Sequence, residues 1–130
     1  MKRYWLVPAN LYRQLDEEFH FDSDPCPYPR PKNYDCLKVD WGNSNFVNPP
    51  FRRRDGFGNG PTAFVRKAIE QQALGCTSVL TLPIHNCLNM LLEAGAEFRP
   101  AGRIRWIEVE TGEPWSGGVA TVIAILRGKT

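Results

Sequence analysis

The chain has 130 residues, a formal net charge of +2, and 16 basic against 14 acidic side chains. Its length suits a single domain, which typically takes about 100–200 residues, and excludes a TIM barrel of about 250 residues. The charge balance excludes a histone-like basic protein and limits any binding of nucleic acid to a local patch. We therefore expect residues 1–130 to form one compact domain.

The predicted elements, in chain order, are a helix at 9–18, short strands at 19–23 and 45–47, a helix from 61 to about 74, a strand at 77–82 and a helix at 86–94. Leu11 and Leu15 have the i, i+4 spacing of one helix face. Pro61 suits the first turn of a helix, and Gly75 suits its C-terminal end.

The last quarter of the chain is rich in residues that favour strands. Turn residues separate 103–109 from 118–126, which predicts an antiparallel hairpin. Residues 119–126 are apolar at nearly every position, so this strand should be covered on both faces. Together the elements predict an α/β fold with three layers and a sheet that is partly parallel and ends antiparallel.

The cysteine spacing and the lengths of the apolar runs indicate the cellular compartment of the protein. None of the four cysteines belongs to a CxxC pair, and their spacings fit no common zinc site, so we expect no metal. The apolar stretch before Pro8 is too short for a signal peptide. The longest apolar run, at 119–126, is far shorter than a membrane span. These features predict a cytoplasmic protein with no membrane partner.

The most informative motif is Asn48-Pro49-Pro50-Phe51, directly after the strand at 45–47. The Asn48 side-chain carbonyl and the Pro49 backbone carbonyl could both accept hydrogen bonds from the exocyclic amine of adenine. Such bonds would aim the nitrogen lone pair at an electrophilic methyl group, and the rigid prolines would keep both acceptors in place. Phe51 could stack on a flipped base. The alternative is an ordinary turn, because Asn-Pro often begins one.

An ordered series of further segments carries a family resemblance. These segments are Trp5-Leu6-Val7-Pro8 with Leu11 and Leu15, Glu18-Phe19-His20-Phe21, Asp22-Ser23-Asp24-Pro25-Cys26, Asp35-Cys36-Leu37 with Asp40-Trp41, the tetrapeptide at 48–51, Phe64-Val65 with Lys67-Ala68, Leu80-Thr81-Leu82-Pro83, and Gly102-Arg103-Ile104. In this order they resemble the phage-type Dam-like DNA adenine-N6 methyltransferases, which use S-adenosylmethionine.

The resemblance implies a reduced Rossmann-like methyltransferase sheet with three layers. It implies a catalytic role for Asn48, Pro49, Pro50 and Phe51. It also implies S-adenosylmethionine binding by Trp5, Pro8, Asp22, Asp24, Pro25 and Asp35. Carboxylates at the carboxyl edge of a sheet can accept hydrogen bonds from ribose or pair with an ammonium group. Helix capping or a solvated loop is the alternative for the acids. The pattern departs from many methyltransferases in having prolines at 25–29 instead of a glycine-rich loop.

Three arginines, Arg52, Arg53 and Arg54, follow the tetrapeptide. We expect them to contact DNA phosphates beside the site, although a solvated basic turn is the alternative. The sequence leaves open whether the DNA is single- or double-stranded. It also leaves open two other functions: a catalytically degenerate nucleic-acid-binding module with the same fold, and methylation of another planar amine in an rRNA base or a glutamine amide. The short chain suggests a homodimer, or a second protein, that supplies missing surface, in the cytoplasm of a phage's bacterial host.

Overall fold

The computed structural model describes residues 5–50, 60–83, 87–101, 106–108, 114–115 and 121–129. The fold is α/β. Its helices are α1 (Ala9–Phe19), α2 (Pro61–Ala73) and α3 (Leu88–Glu93), with a short 3₁₀ helix at Cys36–Lys38. Its strands are β1 (Trp5–Leu6), β2 (Ser44–Val47), β3 (Thr77–Pro83), β4 (Glu97–Pro100), β5 (Trp106–Glu108), β6 (Pro114–Trp115) and β7 (Thr121–Leu126).

Four of these strands form a mixed sheet in the order β2-β3-β7-β4. β2 and β3 are parallel, and α2 lies between them in the chain, as a βαβ crossover requires. β7 is antiparallel to both of its neighbours, β3 and β4. The chain before β2 runs parallel to it at one further position, where Ser23 forms an isolated bridge with Asn45. A smaller antiparallel sheet has the order β1-β5-β6.

The four-stranded sheet is apolar on both faces, as the alternation of side chains along its strands shows. One face packs into the α1 cluster, which consists of Leu15, Phe46, Val79, Ile123 and Ile125. The other face joins residues of α2 and α3 in the α2–α3 cluster, whose fully buried members include Val47, Val65, Ala68, Leu80, Ala124 and Leu126. Cover on both faces explains why β7 has so little polar alternation.

Most of the predicted elements are confirmed, with small differences in their bounds. Pro61 is the first residue of α2, and Gly75 has a φ of 93° just after that helix ends. The predicted strand at 19–23 is reduced to the single bridge at Ser23. β4 was not predicted, because its side chains are only partly buried and it has no continuous apolar pattern.

The predicted hairpin between 103–109 and 118–126 is wrong. β5 pairs with β1 and β6, whereas β7 pairs with β3 and β4 in the other sheet. The physical reason is burial: β7 is apolar from Val122 to Leu126, and between β3 and β4 it buries more apolar surface than it would beside the three-residue strand β5. Among the described residues, β5 instead pairs antiparallel with β6, the next strand in the chain.

Candidate active site

Two polar residues of interest leave the sheet at the same edge. Asn48 follows β2, and Asp24 follows Ser23, whose carbonyl accepts a hydrogen bond of 3.0 Å from the Phe46 amide. Because Ser23 and β2 run in parallel, the residues after them emerge side by side at the carboxyl ends. In open α/β sheets this edge is where ligands bind.

The Asn48 side chain is held in place by the neighbouring strand, β3. The residue is 4% exposed, and its Oδ1 atom accepts a hydrogen bond of 2.9 Å from the hydroxyl of Thr81 in β3. Pro49 and Pro50 are buried as well. Proline supplies no N–H and has a fixed φ, so the backbone after Asn48 is stiff and offers acceptors rather than donors. The amide is thus a buried, oriented polar group at the sheet edge.

A cavity of about 650 Å³ opens at this edge, between the sheet and α1. Asp24 and Asn48 both line it, together with Asp16 and Arg13 of α1. Its apolar and aromatic walls are formed by Leu6, Val7, Tyr12, Tyr28, Phe46 and Ile107. The volume lies in the range of about 300–1,000 Å³ that small-molecule and cofactor sites occupy. The cavity therefore combines a few polar groups with a largely apolar surface.

Aromatic rings make up one wall of the cavity. Tyr12 meets Phe46 edge to face, with ring centroids 4.9 Å apart, and lies 5.7 Å from Phe21. Burial, with a smaller effect from nearby carboxylates, raises the pKa of Tyr12, so its phenol stays neutral at pH 7. Such a wall can pack against a flat ring. Sequence reasoning missed Tyr12 and Tyr28, although Tyr12 stands one turn after Pro8 on the same helix as Leu11 and Leu15.

The Asp24 carboxyl is affected by its position in the cavity wall. Burial raises its pKa above the ordinary value, and a hydrogen bond from the backbone of Cys26 acts in the opposite direction. The folded protein therefore keeps a carboxylate in surroundings that favour its neutral form. A ligand that brings hydroxyl donors or a positive charge would relieve that cost.

The remaining predicted cofactor residues have different positions. Pro8 is the N-cap of α1 and stands between Val7 and Ala9, which both line the cavity. Trp5 pairs with Glu108 in the small sheet. The other three residues make hydrogen bonds within the protein. The Asp22 carboxylate accepts from the Ser44 amide at 2.9 Å, and the Asp35 carboxylate accepts from the Leu37 amide at 3.0 Å. The Pro25 carbonyl accepts from the Tyr34 hydroxyl at 3.1 Å.

The structure thus brings Asp24 and Asn48 together on one cavity. Asp22, Pro25 and Asp35 are not among the described residues that line it. Asp22 supports the start of β2, and Asp35 caps the 3₁₀ helix. The predictions for Phe51, Arg52, Arg53 and Arg54 lie outside the described residues.

Two thiols lie beside the cavity. The Sγ atoms of Cys26 and Cys36 are 3.9 Å apart, and both residues are free cysteines. The hydrogen bond between them, together with burial, raises the pKa of Cys26 well above its ordinary value. This thiol is therefore protonated at pH 7 and forms part of the apolar wall. In the part of the chain that the structure describes, no three His, Cys, Asp or Glu side chains are grouped to hold a metal ion.

Comparison with known proteins gives one low-identity relative. The chain is 27% identical to a DNA N-6-adenine-methyltransferase of Escherichia phage T1, over an alignment of 154 residues that covers 95% of this chain. The alignment covers 62% of that relative, so the chain spans less than two thirds of its length. No family model matches the chain, and no solved structure matches it.

The helices that the structure describes are short. None of them is both long enough and apolar enough to cross a bilayer. The longest, α2, has 13 residues, against about 20 for a transmembrane helix.

Proposed function

We propose that the protein transfers a methyl group from S-adenosylmethionine to the exocyclic N6 amine of adenine in DNA. The observation that carries the proposal is that Asp24 and Asn48 line one cavity at the carboxyl edge of the sheet. The similarity to the phage T1 methyltransferase supports the same reaction and DNA as the substrate. A reduced, three-layer Rossmann-like arrangement is part of the proposal and agrees with the mixed sheet and its helices.

The proposed role of Asn48 follows from its burial and orientation. Its Oδ1 atom and the Pro49 carbonyl would accept hydrogen bonds from the adenine amine and turn the nitrogen lone pair toward the methyl donor. Buried prolines reduce the freedom of both acceptors, so little reorganisation is needed as the reaction proceeds. Pro50 completes the rigid turn, and Phe51 is proposed to stack on the flipped base.

The cavity fits the proposed cofactor by its chemistry. Asp24 could accept hydrogen bonds from ribose hydroxyls or pair with the methionine ammonium, while Tyr12 and Phe46 offer apolar surface to a purine ring. When bound, S-adenosylmethionine supplies an electrophilic methyl group on sulfur. Pro8 would support this wall by fixing the start of α1. Arg52, Arg53 and Arg54 are proposed to hold DNA phosphates next to the tetrapeptide.

A methyl-transfer assay tests the proposal. The purified protein is incubated with DNA and S-adenosylmethionine carrying a labelled methyl group, and the DNA is digested and analysed for N6-methyladenine. Loss of an oriented acceptor should cost about 10²–10³ in rate, so we expect that loss in Asn48→Ala. Asn89→Ala, on the exposed side of α3, is the matched control and should retain the wild-type rate.

Two results would contradict the proposal at different points. If the wild-type protein transferred no label and bound no S-adenosylmethionine by calorimetry, the enzymatic function would be wrong, and a silent nucleic-acid-binding module would remain. If transfer occurred but Asn48→Ala left the rate unchanged, the function would stand and the proposed role of Asn48 would be wrong.

A further inference from the structure

Thr81 is a buried polar residue in the middle of an apolar strand. It is 0% exposed, and its neighbours Leu80 and Leu82 in β3 are almost completely buried. By the alternation of a strand it lies on the same face as Val79, and it is paired in register with Ile123. Both of these neighbours belong to the α1 cluster. A valine would fit this apolar setting with no polar atom to satisfy, so the hydroxyl needs an explanation.

The hydroxyl of Thr81 has a specific partner at the candidate active site. It donates a hydrogen bond of 2.9 Å to Oδ1 of Asn48, across the parallel pair β2–β3. The side-chain torsion that turns an asparagine amide is broad, so the amide needs an external contact to keep one orientation. Threonine is stiff at χ1 because it is β-branched, so its hydroxyl is a fixed donor. The bond therefore limits the rotation of the Asn48 amide.

We propose that Thr81 is a positioning residue that aims Oδ1 of Asn48 at the substrate amine. This proposal rests on the proposed function, in which Oδ1 accepts a hydrogen bond from adenine. An amide oxygen has two lone pairs, so accepting a hydrogen bond from Thr81 is compatible with accepting a second one from the amine. Thr81 acts only through Asn48 and is assigned no contact with the substrate. Its contribution is orientation, which lowers the reorganisation needed in the transition state.

Two substitutions at this position separate orientation from packing. Thr81→Val keeps the branched shape and removes the donor, whereas Thr81→Ser keeps the donor and removes a methyl group. We expect Thr81→Val to lower the single-turnover rate of methyl transfer about 10- to 100-fold, because a small misplacement of a reacting group is costly. The KM for DNA and the Kd for S-adenosylmethionine should change less than about twofold. Thr81→Ser should stay within about threefold of the wild-type rate.

Some kinetic results would overturn the proposal. One is a Thr81→Val protein that folds and keeps its rate within about threefold of wild type. Another is an equal loss of rate in Thr81→Val and Thr81→Ser, which would indicate a packing role. Thr81→Ala also lacks the donor and replaces Thr81→Val if that variant does not fold. As a further check, Thr81→Val placed in the Asn48→Ala protein should cause little additional loss, because both changes remove the same interaction.

A second measurement does not depend on activity. The side-chain NH₂ signals of Asn48 in a ¹⁵N–¹H spectrum report the surroundings of its amide. They should shift or broaden in Thr81→Val and stay near their wild-type positions in Thr81→Ser. If the wild-type protein transferred no methyl group, the proposed function would fail, while these signals would still show whether Thr81 orients the amide. Unchanged signals in both variants would overturn the role of Thr81.

Discussion

Gly128 is packed directly against the backbone of Gly75, so closely that a Cβ atom on Gly128 would collide with the Gly75 carbonyl group. The segment after β7 is also held by hydrogen bonds. The Gly128 amide donates to the Thr77 hydroxyl and the Lys129 amide donates to the Gln72 carbonyl, each at 3.0 Å. The contact joins the end of the chain that the structure describes to the turn between α2 and β3. The lack of space for a Cβ atom explains why residue 128 is a glycine.

Gly128→Ala should therefore destabilise the fold. The added methyl group can be accommodated only if this segment moves and loses hydrogen bonds worth about 1 kcal/mol each, so we expect a cost of about 2–3 kcal/mol. Gly95→Ala is a useful comparison, since Gly95 has a φ of 79° but open space around its Cβ position. Its cost should be about 1–2 kcal/mol from backbone strain. Urea denaturation of both variants measures the difference, and an equal or smaller loss for Gly128→Ala would contradict the steric explanation.

Asn45 has a structural role distinct from that proposed for Asn48. Its Oδ1 atom accepts from the Gly42 amide at 2.8 Å, and its Nδ2 atom donates to the carbonyls of Gly42 and Thr77 at 2.9 and 3.0 Å. Asn45→Asp would place an acceptor beside two carbonyl oxygens in a fully buried position. Thermal unfolding should therefore show a larger loss for Asn45→Asp, about 3–5 kcal/mol, than for Asn45→Ala, about 1–3 kcal/mol. The opposite ranking would mean that the two donated bonds matter little.

Asp24 links stability to ligand binding through pH. Because burial raises its pKa in the folded state, the protonated form stabilises the fold. That contribution is complete below the ordinary aspartate pKa of about 3.9 and is lost as pH rises through the raised value. Asp24→Asn should thus have a higher Tm than wild type at pH 7, and the two proteins should converge below about pH 4. Its affinity for S-adenosylmethionine should fall about tenfold or more.

Two measurements decide this prediction, and they are independent. Thermal unfolding at pH 7 and at about pH 3.5 tests the pKa, and calorimetric titration at pH 7 tests the cofactor role. A lower Tm for Asp24→Asn at pH 7 would contradict the direction of the pKa shift. Unchanged affinity would leave the stability argument intact and remove Asp24 from the proposed cofactor site.

Arg99 connects β4 to α1 by an exposed ionic network. It donates to both carboxylate oxygens of Glu18, at 2.7 and 2.8 Å, and to Glu97 at 2.7 Å, and it lies over the Phe19 ring at 5.6 Å. Its hydrogen bonds lower the pKa of Glu18 and of Glu97. Lysine would keep the charge but could not bind both oxygens of Glu18 in this planar fashion.

Arg99→Lys should consequently lower the Tm slightly at pH 7. For carboxyls whose pKa is lowered by folding, the stabilisation is present above the ordinary glutamate pKa of about 4.3 and is lost as pH falls through the lowered value. The Tm difference between the two proteins should therefore narrow in acid, and also in 1 M salt, where the Debye length is about 3 Å. A difference that stays constant from pH 7 to pH 2 would indicate lost packing on Phe19 instead.

Local elements were predictable because their signals are local. Pro61 before an apolar stripe marked the start of α2, and the apolar run at 77–82 marked β3, which also includes Pro83. Pairing between distant strands was not predictable in this way. The sequence places 103–109 next to 118–126, but the burial of β7 on both faces put it between β3 and β4, and that choice depends on the whole sheet.

The candidate site shows the same division. The tetrapeptide and Asp24 stand out in the sequence because each follows a predicted strand, and the structure places Asn48 and Asp24 on one cavity. Asp22 and Asp35 have the same residue type, yet their carboxylates accept bonds from nearby backbone amides. Thr81 and Tyr12 reach the site through tertiary packing, across a strand pair and a helix face, so no short pattern in the sequence points to them.

The cavity is built from segments far apart in the chain. Its lining comes from β1, α1, the loop after Ser23, β2 and β5, which are assembled only when both sheets are in place. A ligand that binds there therefore stabilises the folded state of all these segments together, and not that of one loop alone. At a concentration of 100 Kd it would add about 2.7 kcal/mol to the free energy of unfolding. A series of Tm values against ligand concentration would then measure affinity with no assay of turnover.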